Sequence, residues 1–116
     1  MSKTYFEEKH FEKEDFSVNS LPPGEYENCT FTDCVFPNVV FSNTTFSECL
    51  FQGCDLSMVK LRHTAMRDVR FKNCKLLGLH FNDCNPFLFA VSFEGCMLNL
   101  SAFYKLNLKK TKFINK

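Results

Sequence analysis

Seven cysteines and three histidines are the side chains of this 116-residue sequence best equipped for chemistry. Clustered thiolates and imidazoles hold zinc, and an activated thiol can serve as a nucleophile or a redox switch. The spacing here favours neither. Cys29, Cys34, Cys49, Cys54, Cys74, Cys84 and Cys96 are never closer than five residues, so there is no CxxC. His10, His63 and His80 form no HxxxH or Cys/His pair. No nucleophile motif, phosphate-cradling glycine loop or paired-carboxylate site is present. No catalytic, cofactor-binding or metal-binding residue is assigned, and an enzyme is not expected.

What the cysteines share is a place in a rhythm. From Tyr26 to Phe81 every fifth residue is large and apolar, Phe31, Phe51 and Phe71 among them. Such a run would arise by chance about once in ten thousand tries. A period of five fits neither a helix nor a plain strand, so five residues must form one unit that returns the chain to the same orientation toward a core. Two residues before each large position sits a small or β-branched one, such as Cys29, Val39, Thr44 or Cys54. The other three positions of each unit are mostly polar and point outward. Every cysteine falls in the small inward slot, where a free thiol serves as a compact hydrophobe.

The rhythm breaks once, at Asn85-Pro86-Phe87-Leu88-Phe89, and resumes two residues out of phase with Phe93, Leu98, Phe103, Leu108 and Phe113. A two-residue insertion near 85–89 explains the shift, and Pro86, without an N–H, suits a bulge or corner. Phe87, Leu88 and Phe89 would either form an exposed knuckle or fold back onto the core. Before Gly24 the rhythm holds only for Phe6, Phe11, Phe16 and Leu21, with Lys9 and Glu14 in small slots. Residues 1–23 are therefore read as an N-terminal cap or arm, and residues 24–116 as the regular domain.

Units such as Cys29-Thr30-Phe31-Thr32-Asp33 and Cys54-Asp55-Leu56-Ser57-Met58 resemble the pentapeptide-repeat family. The resemblance implies an all-β fold, a right-handed quadrilateral parallel β-helix with four pentads to a turn. A test internal to the sequence agrees. Taken every twenty residues and corrected for the insertion, one column reads Phe31, Phe51, Phe71, Phe93, Phe113 and another Cys34, Cys54, Cys74, Cys96. The all-Phe column is the expected core ladder. Within the family, the cysteine-rich units and Cys54-Asp55-Leu56-Ser57-Met58 resemble the quinolone-resistance (Qnr-type) branch. That resemblance implies a protein that binds DNA gyrase or topoisomerase IV, in part as an acidic mimic of DNA, and a homodimer joined through C-terminal turns.

Charge qualifies the mimicry. The chain carries +1 overall, but residues 1–60 hold ten acids and four bases (−6), and residues 61–116 ten bases and three acids (+7). The basic residues scatter over several sides of a square and lack exposed aromatic neighbours, so direct nucleic-acid binding is not expected. Charges throughout residues 1–20 leave no apolar signal segment, and no apolar run reaches the roughly 18 residues of a membrane span. With no signal for export, seven thiols point to a reducing cytoplasm rather than a disulfide scaffold. On the square model Val35, Pro37, Met58, Leu77, Met97 and Leu100 point outward from one side, which is either a candidate contact surface for a partner or a second copy or a flank covered by the N-terminal arm. Past Phe113 no polar capping unit follows, so either two chains stack at the C-terminal end, with Phe103, Leu108 and Phe113 as candidate stacking residues, or the sequence is a piece of something longer. The leading reading is a non-enzymatic protein-interaction scaffold. Behind it stand a Qnr-type topoisomerase-binding protein and a structural solenoid with no specific partner.

Overall fold

The computed structural model describes residues 4–18, 21–103, 106 and 111–114. Ten short strands follow one another: β1 (Thr4–Glu7), β2 (His10–Glu12), β3 (Gly24–Glu27), β4 (Thr30–Thr32), β5 (Thr44–Ser47), β6 (Leu50–Gln52), β7 (Thr64–Arg67), β8 (Val69–Lys72), β9 (Val91–Glu94) and β10 (Lys112–Ile114). One turn of 3-10 helix, Phe81–Asp83, separates β8 from β9, and no α-helix occurs among the described residues.

All strand pairs are parallel. β1, β3, β5 and β7 make a four-stranded sheet; β2, β4, β6, β8, β9 and β10 make a six-stranded one. Partners lie twenty residues apart, as in Phe11↔Phe31, Phe31↔Phe51 and Phe51↔Phe71. Twenty residues are four pentads, so the chain winds as a parallel β-solenoid of about five turns. The two sheets form two of its sides. A third side is joined only by isolated bridges, Asp15↔Val35↔Asp55↔Lys75↔Met97, and a fourth by Val40↔Lys60 and His80↔Ala102. Across the insertion the offset becomes twenty-two, as in Phe71↔Phe93, and it returns to twenty at Phe93↔Phe113.

The pentad folds this way because most units end in a left-handed corner. Asn28, Asp33, Asn43, Asp68 and Asn73 have φ of 53–57°, and Gly53 and Gly95 occupy equivalent places at 67° and 64°. Asn, Asp and Gly tolerate that region best, which turns the chain after every short strand. The large slot then always points inward. Tyr26, Phe31, Phe36, Phe41, Phe46 and Phe51 are fully buried. On the six-stranded side the rings stack face to face, with centroids 4.8 Å apart for Phe11–Phe31, 4.6 Å for Phe31–Phe51 and 5.2 Å for Phe51–Phe71. Each buried ring contributes about 1.5–3 kcal/mol.

Residues 4–18 run as a turn of the same solenoid. Thr4 pairs with Gly24, and Phe6 and Phe16 stack on Tyr26 and Phe36 at 4.9 and 4.8 Å. The charged occupants of the small slots are tolerated at this rim because Lys9 is exposed and Glu14 only half-buried. Gly24 is required by the close approach: a Cβ there would lie 2.1 Å from the Thr4 carbonyl oxygen.

Candidate functional site

The thiols come first, since the sequence offered them for chemistry. All seven are free; six are buried and Cys96 is half-buried. Six of them are more than compact fillers. The Sγ of Cys49, Cys54, Cys74 and Cys96 donates to the carbonyl of Tyr26, Phe31, Phe51 and Phe71 respectively, each at 3.2 Å and one turn earlier. Thr64 Oγ1 does the same to Phe41 at 2.7 Å and Ser101 Oγ to Leu76 at 2.5 Å. The small slot therefore takes a donor that ties adjacent turns together inside the core. The sharing of one slot by Cys, Thr and Ser carried that signal, and volume alone did not reveal it. Burial pushes the Cys34 thiol up to about 11 and those of Cys49 and Cys84 to about 12, so they stay protonated and inert. In the other direction, the hydrogen bond from the neighbouring Cys74 thiol lowers Cys96. Among the described residues no group of three or more His, Cys, Asp or Glu side chains could hold a metal.

The third side is chemically different. Its inward positions are Phe36, Leu56, Leu76 and Leu98, and its outward column is Asp15, Val35, Asp55, Lys75 and Met97, stacked by the bridges. Pro37, Ser57, Leu77 and Asn99 form a second column beside it, and Asn38, Met58, Gly78 and Leu100 the corner column. All six apolar residues singled out from the sequence thus share this side. Val35, Pro37, Met58, Met97 and Leu100 are exposed, whereas Leu77 is half-buried. Leu100, at 89 %, is the most exposed large apolar residue among those described. Asp55 Oδ1 accepts from the Ser57 N–H at 3.0 Å, which fixes its carboxylate on the surface. Met58 lies along the side: a Cβ on Gly78 would meet its Sδ at 2.6 Å.

The corner column holds its own oddity. Met58 and Leu100 both have φ of 64°, the left-handed region that the repeat elsewhere gives mostly to Asn, Asp and Gly and, at Glu8, Lys13, Glu48 and His63, to other polar residues. Leu88, at 59°, is the other apolar residue so placed among those described. All three are exposed.

Residues 25–86, just over half of the chain, match the family model for the pentapeptide repeat region. The chain belongs to the pentapeptide-repeat family. Among proteins of curated function none matches it significantly. Among solved structures, the pentapeptide repeat protein Rfr23 from the cyanobacterium Cyanothece 51142 aligns with a TM-score of 0.51 at 11 % identity, covering 94 % of this chain and 87 % of its own. Full-length QnrB1, a plasmid-mediated fluoroquinolone resistance protein, aligns with a TM-score of 0.38 at 16 % identity, covering 95 % and 82 %. The first likeness supports the fold.

Three further regions of this pentapeptide-repeat protein bear on function. At the insertion the chain does both things that the sequence allowed. Phe87 and Leu88 protrude, 64 % and 57 % exposed, while Phe89 turns inward to 6 % and packs 6.5 Å from the Phe81 ring. The Asn85 N–H donates to Thr64 O at 2.8 Å and the Ala90 N–H to Met66 O at 3.1 Å, so the loop covers the edge of β7. Toward the C-terminus, Phe113 stacks on Phe93 at 5.3 Å but remains 54 % exposed, so this last ring of the ladder is half outside the core. Phe103 is half-buried against Phe81, 4.9 Å away, and Leu108 lies outside the described residues. Charge follows the axis. Glu7, Glu25, Glu27 and the corner residues Glu8 and Glu48 gather on the four-stranded side, and Ala65 and Arg67 succeed them on β7. No helix among the described residues is long and apolar enough to cross a membrane.

Proposed function

We propose that this chain is a non-enzymatic protein-interaction scaffold that docks a protein partner on its third side, in the cytoplasm. The observation that carries the reading is the pair Met58 and Leu100. A left-handed L-residue costs about 1–2 kcal/mol, and no burial of these exposed side chains offsets that cost. Strain and exposed apolar surface held together at one site mark a contact surface. A photo-reactive residue in place of Met58 or Leu100 should form a discrete protein adduct in cells, and one in place of Arg70 should not. Absence of any adduct from the third side would leave a structural solenoid without a specific partner.

The acidic residues of the four-stranded side support a second reading, a Qnr-type protein that binds DNA gyrase or topoisomerase IV as a DNA mimic. Duplex DNA carries a charge about every 1.7 Å along its axis, whereas this stripe gives way to Arg67, so it ranks second. Gyrase supercoiling, assayed with and without a fluoroquinolone across a range of protein concentrations, tests it directly. Protection or inhibition would promote this reading; no effect from folded protein would remove it. The exposed ring of Phe113 supports a companion proposal, a homodimer stacked through Phe103, Leu108 and Phe113, which Phe113→Glu should dissociate.

A further inference from the structure

The third side has an order of chemistry that selects its own copy. Beyond Asp15 on the first turn, its central column reads Val35, Asp55, Lys75, Met97 on the next four turns. A two-fold axis lying in the contact plane, across the solenoid and midway between the turns of Asp55 and Lys75, reverses the order of turns and keeps each column opposite itself. Asp55 then faces Lys75 of the second copy, and Val35 faces its Met97. In the corner column Asn38 meets Leu100. Met58, whose sulfur already spans to the Gly78 turn, meets its own equivalent at the axis. The same two sides laid in parallel would oppose Asp55 to Asp55 and Lys75 to Lys75, which costs several kcal/mol.

From this self-complementarity we infer that the partner of the third side is a second copy of this chain, bound antiparallel and side to side. The inference rests on the reading of that side as a docking surface and names its occupant. Around the axis the two Asp55 and two Lys75 side chains close an alternating cluster of four charges, flanked by Val35–Met97 pairs. The contact is small. Four turns at about 4.8 Å spacing span only ~15 Å, too short for one flat side to supply the roughly 800 Å² per partner of a standard interface, so the dimer is weak and transient.

Sedimentation velocity on the purified full chain, at up to about 0.5 mM, should show a concentration-dependent dimer. Lys75→Asp should raise the Kd at least ~10-fold, with an unchanged circular dichroism spectrum because Lys75 is exposed. The double variant Asp55→Lys/Lys75→Asp should recover the parent Kd to within ~3-fold. Phe113→Glu should leave this dimer intact, which separates it from stacking at the C-terminal turns. A parent chain that stays monomeric, or a double variant as weak as Lys75→Asp, would overturn the inference. The cellular adducts at Met58 keep the two ideas apart. An adduct at twice the chain mass supports self-association. One of another mass sustains the docking surface and rejects the second copy as its occupant. No adduct rejects both.

Discussion

The second and third sides of the solenoid are built from the same pentad and end in different chemistry. On the second side six strands form a continuous ladder, the stacked rings lie within 6–25° of parallel, and the corners after β4, β6 and β8 are Asp33, Gly53 and Asn73. The third side is held by single bridges over Phe36, Leu56, Leu76 and Leu98, yet it presents Val35, Met58, Met97 and Leu100 to solvent. Both sides turn their large residues inward, with Phe31, Phe51 and Phe71 on one and Phe36, Leu56 and Leu76 on the other buried, so folding alone does not call for that surface. The difference teaches that inward slots fix the architecture while outward slots are free to carry recognition.

The deepest break in this comparison should come from the ladder itself. Phe51→Ala should cost about 3–5 kcal/mol, and Leu76→Ala on the third side should fall toward the lower end of the ~2–5 kcal/mol seen for buried leucines. Urea midpoints of the two variants measure the contrast. If Phe51→Ala proved no worse than Leu76→Ala, the rings would not be the spine.

Alkaline pH attacks both sides through the thiols between them. Cys34, Cys49 and Cys84 have folded pKa values raised to about 11–12 above an ordinary 9.0, so the folded state holds protons that the unfolded state releases first. Their stabilisation is complete below pH 9 and is lost as pH rises toward 12, by about 1.4 kcal/mol per thiol one unit above the unfolded value. Urea midpoints should therefore fall between pH 8 and 10. A Cys49→Thr variant, which keeps a donor in the slot without an ionisable thiol, should fall less.

A smaller effect is expected from removing one tie between turns. Cys74→Ala leaves the Phe51 carbonyl without the thiol donor and should cost about 1–2 kcal/mol; Cys74→Ser, with a hydroxyl like that of Ser101, should cost less. Neither should alter metal content, and zinc lost on replacing Cys74 would refute the inert-thiol reading. The slightest change sharpens the comparison from the third side. Leu100→Asn suits the left-handed corner and should raise stability by up to ~1 kcal/mol while abolishing adducts formed from position 58. Increased stability with docking unimpaired would deny the corner its role.

Much of this was legible because a strict repeat turns sequence position into spatial position. The all-Phe and all-Cys columns, the two-residue offset and the side shared by Val35 and Met97 all follow from counting in fives and twenties. Lys9 and Glu14 blur the pattern in the first turn, since a slot at an open rim tolerates charge that an interior slot rejects. Volume also hid the donor role of the cysteines, because a thiol and a methyl look alike until a carbonyl is placed one turn away.

The sequence by itself determined the five-residue unit, its inward residues and the place of its one irregularity, because a period of five fits neither helix nor strand and must return large side chains to one core; the number of units to a turn was what the family resemblance implied. Only the tertiary structure decided that Phe89 enters the core while Phe87 and Leu88 stay out. It also decided that Met58 and Leu100 hold strained corners in full view of solvent, and that six of the seven thiols find a carbonyl on the neighbouring turn. Those outcomes depend on the contacts and directions of atoms about twenty residues apart, and a linear pattern records the spacing of such atoms but not where they point.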